Sequence, residues 1–357
     1  MYILMWCERR FTMPEKGKTL FISDIHLGAG NTWDWFSIEK EGPYLVKFFE
    51  YVSQRTDVKE LVLLGDVFDT WVCPHDREPH KFEDIIKAQV KVINAIKKMA
   101  EKVPTLYING NHDYSVTAEN INNTFDGKVK HIGTYYRRRN IYAEHGHLQA
   151  LFNCPDPRNG GFLRLPLGYY ITRLHTTLGI TRKAKMNLIL EGLDAIFQVM
   201  GPEKLPESLL DALKDAVEKT KKTEVTEFKM GYICASQGYE TVKSRYKNLF
   251  DDWKASVGFW QSVQMIKSEM NRLDTVADQM CRDGVDIVVL GHSHDTKMDK
   301  DSWLAKDRIY ANCGYWCGFG DQESIDDNAH FVETDGKTVT LFSFTGKKAR
   351  EKKSLRL

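Results

Sequence analysis

The chain has no CxxC pair, no long apolar run, no internal repeat and almost no net charge. Each absence excludes something. Its 357 residues include seven Cys. An odd set without paired spacing excludes a cysteine-rich zinc module and a disulfide framework. Free thiols fit a reducing compartment, so a cytoplasmic protein is expected. No apolar run nears the roughly 18 residues that a membrane-spanning helix needs. Lys and Arg total 50 against 49 Asp and Glu, a net of +1. That balance offers a polyanion no general attraction, so no stable nucleic-acid partner is expected. With 42% hydrophobic and 28% charged residues, the chain is not disordered either. At roughly 150 residues per domain, it exceeds one ordinary domain.

What is present begins with Met1–Cys7, apolar but lacking a basic lead and a small-residue cleavage site. Met13 opens a segment that reads as a natural start, so residues 1–13 are expected to be an N-terminal extension. Then comes a repeated pattern of strand, loop and helix. Apolar runs of four to six residues stop abruptly: 19–22 at Ser23-Asp24, 61–64 at Gly65-Asp66, 105–108 at Asn109-Gly110-Asn111. Likewise 141–143 stops at Glu144-His145-Gly146, and 285–290 at Gly291-His292. Val/Ile/Leu-rich runs without alternation are strands buried on both faces. Amphipathic stretches at 44–55 and 81–102 lie between them. The pattern predicts an α/β layered domain. Near the end, Thr334-Asp335-Gly336-Lys337 separates two strand-like runs, a hairpin signal.

Each run ends in groups that can bind metal. In order they are Asp24-x-His26, Asp66-x-x-Asp69, Asn111-His112-Asp113, His145-Gly146-His147 and His292-x-His294. The carboxyl ends of strands are where open α/β sheets build sites. Six of the eleven His fall in these segments. Any one motif could be a turn; five in order, each after a buried-type strand, are not coincidence. Carboxylate, imidazole and amide donors suit Mn, Fe, Zn, Co or Mg. This many donors exceed one tetrahedral ion and suit two. Paired metals roughly 3.5–4 Å apart clamp an in-line phosphoryl displacement and generate hydroxide near neutral pH. One carboxylate must then bridge them, and Asp66, central in the series, is the best candidate.

The series DxH, GDxxD, GNHD, HGH, GHxH resembles the calcineurin-like metallophosphoesterases, over about residues 18–148 and 285–344. The resemblance implies a four-layer αββα sandwich with two mixed β-sheets. It implies that one metal takes Asp24, His26, Asp66 and His294, and the other Asp66, Asn111, His145 and His292. It further implies that His112 hydrogen-bonds the phosphoryl oxygen or leaving group and that Asp69 orients it. His147 and Asp113 are expected to support the ligands from behind. A metal-bridging hydroxide would attack phosphorus. The Ser/Thr phosphatase branch carries Arg after the second Asp of GDxxD and Glu after GNH; here the segments read GDVFDTW and GNHDY. SDIHLG at 23–28, LVLLGDVFDTW at 61–71 and NCGYW at 312–316 are more similar to the UDP-2,3-diacylglucosamine diphosphatase group, which hydrolyses a pyrophosphate and prefers Mn. That group typically carries Arg where His112 stands.

Residues 150–281 change texture. Apolar-run strands vanish, and 186–200, 207–222 and 239–281 have helical spacing. A helical insertion, or cap, is expected here, splitting a catalytic domain of 14–149 and 282–346. Its entrance mixes apolar residues with Arg158, Arg164 and Arg173, which would suit a lipid or nucleotide phosphate. Arg137, in a Tyr-Tyr-Arg-Arg-Arg run, could also reach a phosphate. His75 and His80 read as surface residues, Cys313 and Cys317 as packing thiols, and 347–357 as a solvated basic tail. The expected function is a phosphodiesterase or pyrophosphatase on a small or lipid-linked phosphoester, with peripheral membrane contact left open. The alternatives are an enzyme of cyclic or other nucleotides, a repair-type DNA nuclease, and a scaffold that has lost catalysis. The retained ligand types count against the last.

Overall fold

The computed structural model describes residues 17–155, 165–179, 201–269, 273, 276–277, 280–281, 283–303, 306–319 and 324–357. The expected N-terminal extension, the predicted helix at 186–200 and both Arg158 and Arg164 lie outside them.

Four strands run parallel: β1 (Lys18–Ile22), β2 (Val58–Leu64), β3 (Thr105–Ile108) and β4 (Val129–His131). They are the half of a seven-stranded sheet that carries most of the motifs. A second sheet holds β5 (Tyr135–Arg138), β6 (Ile141–Glu144), β9 (Ile287–Leu290), β10 (Met298–Trp303) and β11 (Lys306–Asn312). Its order is β10-β11-β9-β6-β5, with the three central strands parallel and both edges antiparallel. The chain returns to the first sheet through β12 (His330–Thr334) and β13 (Thr338–Phe344).

Strand alternation makes the layers. Phe21, Val62, Leu64 and Ile108 point inward and meet Ala143, Ile287, Val289 and Ile309 between the sheets. Their neighbours Leu20, Ile22, Leu61 and Leu63 point outward, against helices. One is α1 (Glu41–Gln54), which buries Leu45, Phe48, Phe49 and Val52 at helical spacing. The others are α2 (Phe82–Ala88), α3 (Val90–Ala100) and α4 (Ala118–Thr124). On the far side Val288 and Leu290 pack on Leu273, Ala277 and Cys281. The four-layer sandwich with two mixed sheets is therefore present. At about 1.5–3 kcal/mol per large buried side chain, burial on both sheet faces dominates its stability.

The end of the chain, expected as a solvated tail, keeps its side chains mostly exposed but is a regular strand. Ala349–Arg356 forms β14, antiparallel to β13, at the edge of the seven-stranded sheet. Its Lys-rich side chains are those with which natural proteins blunt an exposed edge.

The insertion is mostly helical where described. It holds α5 (Leu167–Leu178), α6 (Leu205–Lys221), α7 (Tyr239–Tyr246), α8 (Leu249–Val257) and α9 (Phe259–Glu269). It also holds a two-residue ladder of β7 (Glu227–Phe228) with β8 (Gln237–Gly238), which the helical pattern did not announce. The stretch from Tyr239 breaks at Gly258, whose φ is 90°. Helix α5 is the hub. Its residues 167–176 are buried all round, the signature of a central helix. Among the described residues, no helix is long and apolar enough to cross a membrane.

Candidate metal centre

The sequence motifs converge where the parallel strands of both sheets end. After β1 the chain turns so that Ile25 and His26 N–H donate to Asp66 O, at 2.9 and 2.8 Å. The turns are strained. Asp24, His26, Asp66, His292 and His294 all have φ between 50° and 69°. They are five of the nine non-glycine residues with positive φ among the described residues. Such a conformation costs of order 1–3 kcal/mol and persists where the surroundings enforce it. Two glycines permit the close approach. A Cβ at Gly110 would stand 2.2 Å from Asp66 Oδ1, and one at Gly291 2.1 Å from Ser23 Oγ.

The donor atoms form a chain. His294 Nε2 lies 2.7 Å from Asp24 Oδ1 and 3.2 Å from His26 Nε2. Asp66 Oδ2 lies 3.7 Å from His26 Nε2 and 3.1 Å from His145 Nε2. Asp24, His26 and His294 form one group within metal-binding reach of one another, and Asp66, His145 and His292 another. Asn111 Nδ2 donates to Asn153 Oδ1 at 3.1 Å. Its own Oδ1 is buried without a hydrogen-bond partner. A buried, unpartnered amide oxygen beside carboxylates and imidazoles fits a metal ligand. The imidazoles are braced from behind: His26 Nδ1 meets Asp69 Oδ2 at 2.8 Å, and His145 Nδ1 meets Leu64 O at 3.0 Å. Each brace leaves Nε2 for a metal. Oxygen and imidazole donors with such support fit divalent ions of the Mn, Fe, Zn, Co and Mg kind.

Charge is arranged accordingly. Burial alone would raise Asp66, but His145, His112 and His26 hold its carboxyl well below the usual range. Burial would lower His145, but Asp66 and Asp24 push it up to about 9. Burial and the neighbouring His145 push His292 down to about 3.

The supporting residues are also in place. Asp113 is buried and pinned by Val67 N at 2.8 Å, Gly110 N at 2.6 Å and Tyr107 Oη at 2.5 Å. It thereby ties the Asp66 loop to the Asn111 loop. Burial and Asp66 raise its carboxyl to about 6. His147 is buried, its ring centre 5.5 Å from that of His145. Burial, with His145 and His292, keeps it neutral. Asp69 Oδ1 stands 3.1 Å from His112 Nδ1.

Some predicted contacts are not brought here. Arg137 Nη2 donates to Asp283 O at 2.7 Å, at the opening end of β9, whereas the site lies past its closing end. Arg173 is fully buried and donates to Cys73 O, Pro74 O, Arg77 O and Lys229 O, so its guanidinium is spent on the fold. His75 is buried rather than exposed, with Nδ1 2.9 Å from Thr177 Oγ1. Cys313 and Cys317 are buried and unbridged, as expected. Sequence reasoning missed Trp35, whose ring centre is 4.8 Å from His26 and 5.1 Å from His112. It also missed Asn153, and it quoted Trp71 only as part of a motif. No ionisable group marks these residues.

Residues 17–296 match the family model described as calcineurin-like phosphoesterase. The chain belongs to this family. Among similar proteins, the UDP-2,3-diacylglucosamine hydrolase of Hamiltonella defensa is 34% identical over 100 residues, 28% of this chain and 32% of that protein. The same hydrolase of Shewanella pealeana is 31% identical over 101 residues, 28% of this chain and 34% of that protein. The chain thus aligns with about a third of the length of these curated relatives. The solved structure of Vacuolar Protein Sorting 29 from Cryptosporidium parvum has a TM-score of 0.31 and 11% identity, covering 96% of this chain and 99% of that one.

Proposed function

We propose that the protein is a dinuclear-metal phosphoester hydrolase acting on a phosphodiester or pyrophosphate of a lipid-linked nucleotide, similar to UDP-2,3-diacylglucosamine. One observation carries the reading: Asp66 Oδ2 is within 3.7 Å of His26 Nε2 and 3.1 Å of His145 Nε2, a nitrogen from each group. A carboxylate within reach of two imidazole-bearing groups suits a shared ligand. One metal would be held by Asp24, His26, Asp66 and His294, and the other by Asp66, Asn111, His145 and His292. Bound divalent ions, Mn by the likeness to the lipid enzymes, would supply Lewis acidity and a nucleophile drawn from water.

The chain's own work is positioning and proton transfer. Asp69, braced at Nδ1 of His112, keeps that ring's other nitrogen for the phosphoryl or leaving-group oxygen. Against burial, His112 and His26 hold the Asp69 carboxyl well below the usual range, so it stays a carboxylate at neutral pH. The insertion at 150–281 acts as a cap over the substrate, and the protein works in the cytoplasm.

Chelation tests the reading. Stripping with EDTA is expected to abolish hydrolysis of bis-p-nitrophenyl phosphate, and added Mn to restore it; turnover untouched by chelation contradicts the metal mechanism. A panel of UDP-diacylglucosamine, cyclic nucleotides, dinucleotides, monoesters and single-stranded DNA at fixed Mn tests the substrate. The lipid-linked nucleotide is expected to give the highest kcat/KM.

A further inference from the structure

We propose that Trp71 is a positioning residue, which fixes the plane of the His112 imidazole and ties it to the helical insertion. The proposal rests on the role given to His112 above. The two rings are stacked, with centres 4.6 Å apart and planes 29° apart. Trp35 lies against the imidazole at 5.1 Å, tilted by 45°, and His26 meets it edge-on at 4.6 Å.

The terminal torsion of a histidine is broad, so its ring plane is not set by its own backbone. Rotation about Cβ–Cγ sets the plane, and a lone contact at Nδ1, 3.1 Å long, restrains it from one edge only. Asp69 supplies that contact. Its Oδ1 also accepts the N–H groups of Trp71 and Val72, both at 2.9 Å. Thr70 N and Oγ1 donate to His112 O at 3.1 and 2.6 Å. These contacts fix the backbone of His112 and the carboxylate beside it. The stacked indole, with Trp35 and His26 also against the ring, opposes its rotation.

Trp71 is itself held from the insertion. Its indole meets Tyr169 of α5 at 5.8 Å and 84°, and it belongs to the core to which α5, α6, α7, α8 and α9 all contribute. Arg173, one turn further along α5, donates to Tyr169 Oη at 2.7 Å and to Cys73 O at 2.7 Å. The segment after Trp71 is thus fastened to the same helix. The plane of the His112 ring therefore depends on a helix far away in sequence.

A double-mutant cycle tests this. With Mn and bis-p-nitrophenyl phosphate, Trp71→Leu is expected to lower kcat roughly 10–100-fold, the scale of a misplaced reacting group. KM should stay within about twofold, and metal content should not change. Trp71→Phe, which keeps a ring to stack, should recover most of the loss. In a His112→Ala background, Trp71→Leu should cost less than about twofold. Thermal melts accompany every variant, and Trp71→Met stands in where the leucine variant does not fold. Equal losses in both backgrounds, a loss that tracks metal content, or a Phe variant no better than Leu overturns the proposal. If His112→Ala alone turns over at the wild-type rate, the role of His112 falls, and the proposal with it. If His112→Ala is impaired while the cycle is additive, only the proposal falls.

Discussion

Asp69 sits between two imidazoles, with Oδ2 2.8 Å from His26 Nδ1 and Oδ1 3.1 Å from His112 Nδ1. It braces a residue of the metal centre and a candidate proton donor at once. The two imidazoles separate by consequence. His112→Ala removes the donor and leaves the ligand set intact. Elemental analysis should find its metal unchanged, while turnover falls by ~10²–10⁴; loss of metal together with turnover would make His112 structural instead. At this scale the ionisable groups were legible in sequence, because each followed an apolar run that stops abruptly. Trp35, Trp71 and Asn153 were not, since an aromatic or amide side chain declares no chemistry until its neighbour is known. Arg137 and Arg173 misled for the converse reason. A guanidinium suits a phosphate, but the backbone carbonyls that claim these two come from distant segments.

Elements decide where those residues stand. Short buried strands ending in strained turns put Asp24, Asp66, His145 and His292 at one rim, and the strand pattern was plain in the sequence. The β14 edge was hidden because charged side chains on an edge strand resemble a solvated tail; the backbone ladder, not the side chains, holds it. The hub α5 was half legible: its apolar run was visible, its burial on all sides was not. One consequence is testable. His175 on α5 is buried, with no hydrogen-bond partner for Nε2, and burial pushes it down to about 4. In the unfolded chain it titrates near 6.5. Between those values the unfolded state binds more protons, so this group's contribution is complete above about 6.5 and lost as pH falls toward 4. The ceiling is about 3 kcal/mol. Urea unfolding of His175→Phe should lose less stability than wild type between pH 7 and pH 4.5. Equal losses would mean that the ring is not buried neutral.

The whole molecule is a four-layer sandwich whose continuity is interrupted once, between His145 and His292. The motifs on either side of that gap meet: Gly291 N–H donates to His145 O at 2.9 Å, and His292 N–H to Asp24 Oδ2 at 3.0 Å. That meeting explains why a near-neutral chain can carry a phosphoester site. Its charges are concentrated locally rather than summed across a surface. The layered architecture was legible from strand order and resemblance, but the fastening of the insertion through Trp71 and Arg173 was not, because it depends on side-chain packing between distant segments. The central claim is that Asp66 serves two metals at once, and the metal stoichiometry of Asp66→Ala tests it most directly. Elemental analysis after dialysis should find about two ions per wild-type chain and almost none in the variant. A variant that keeps both ions, or a wild type that holds only one at full activity, would contradict the shared-carboxylate account.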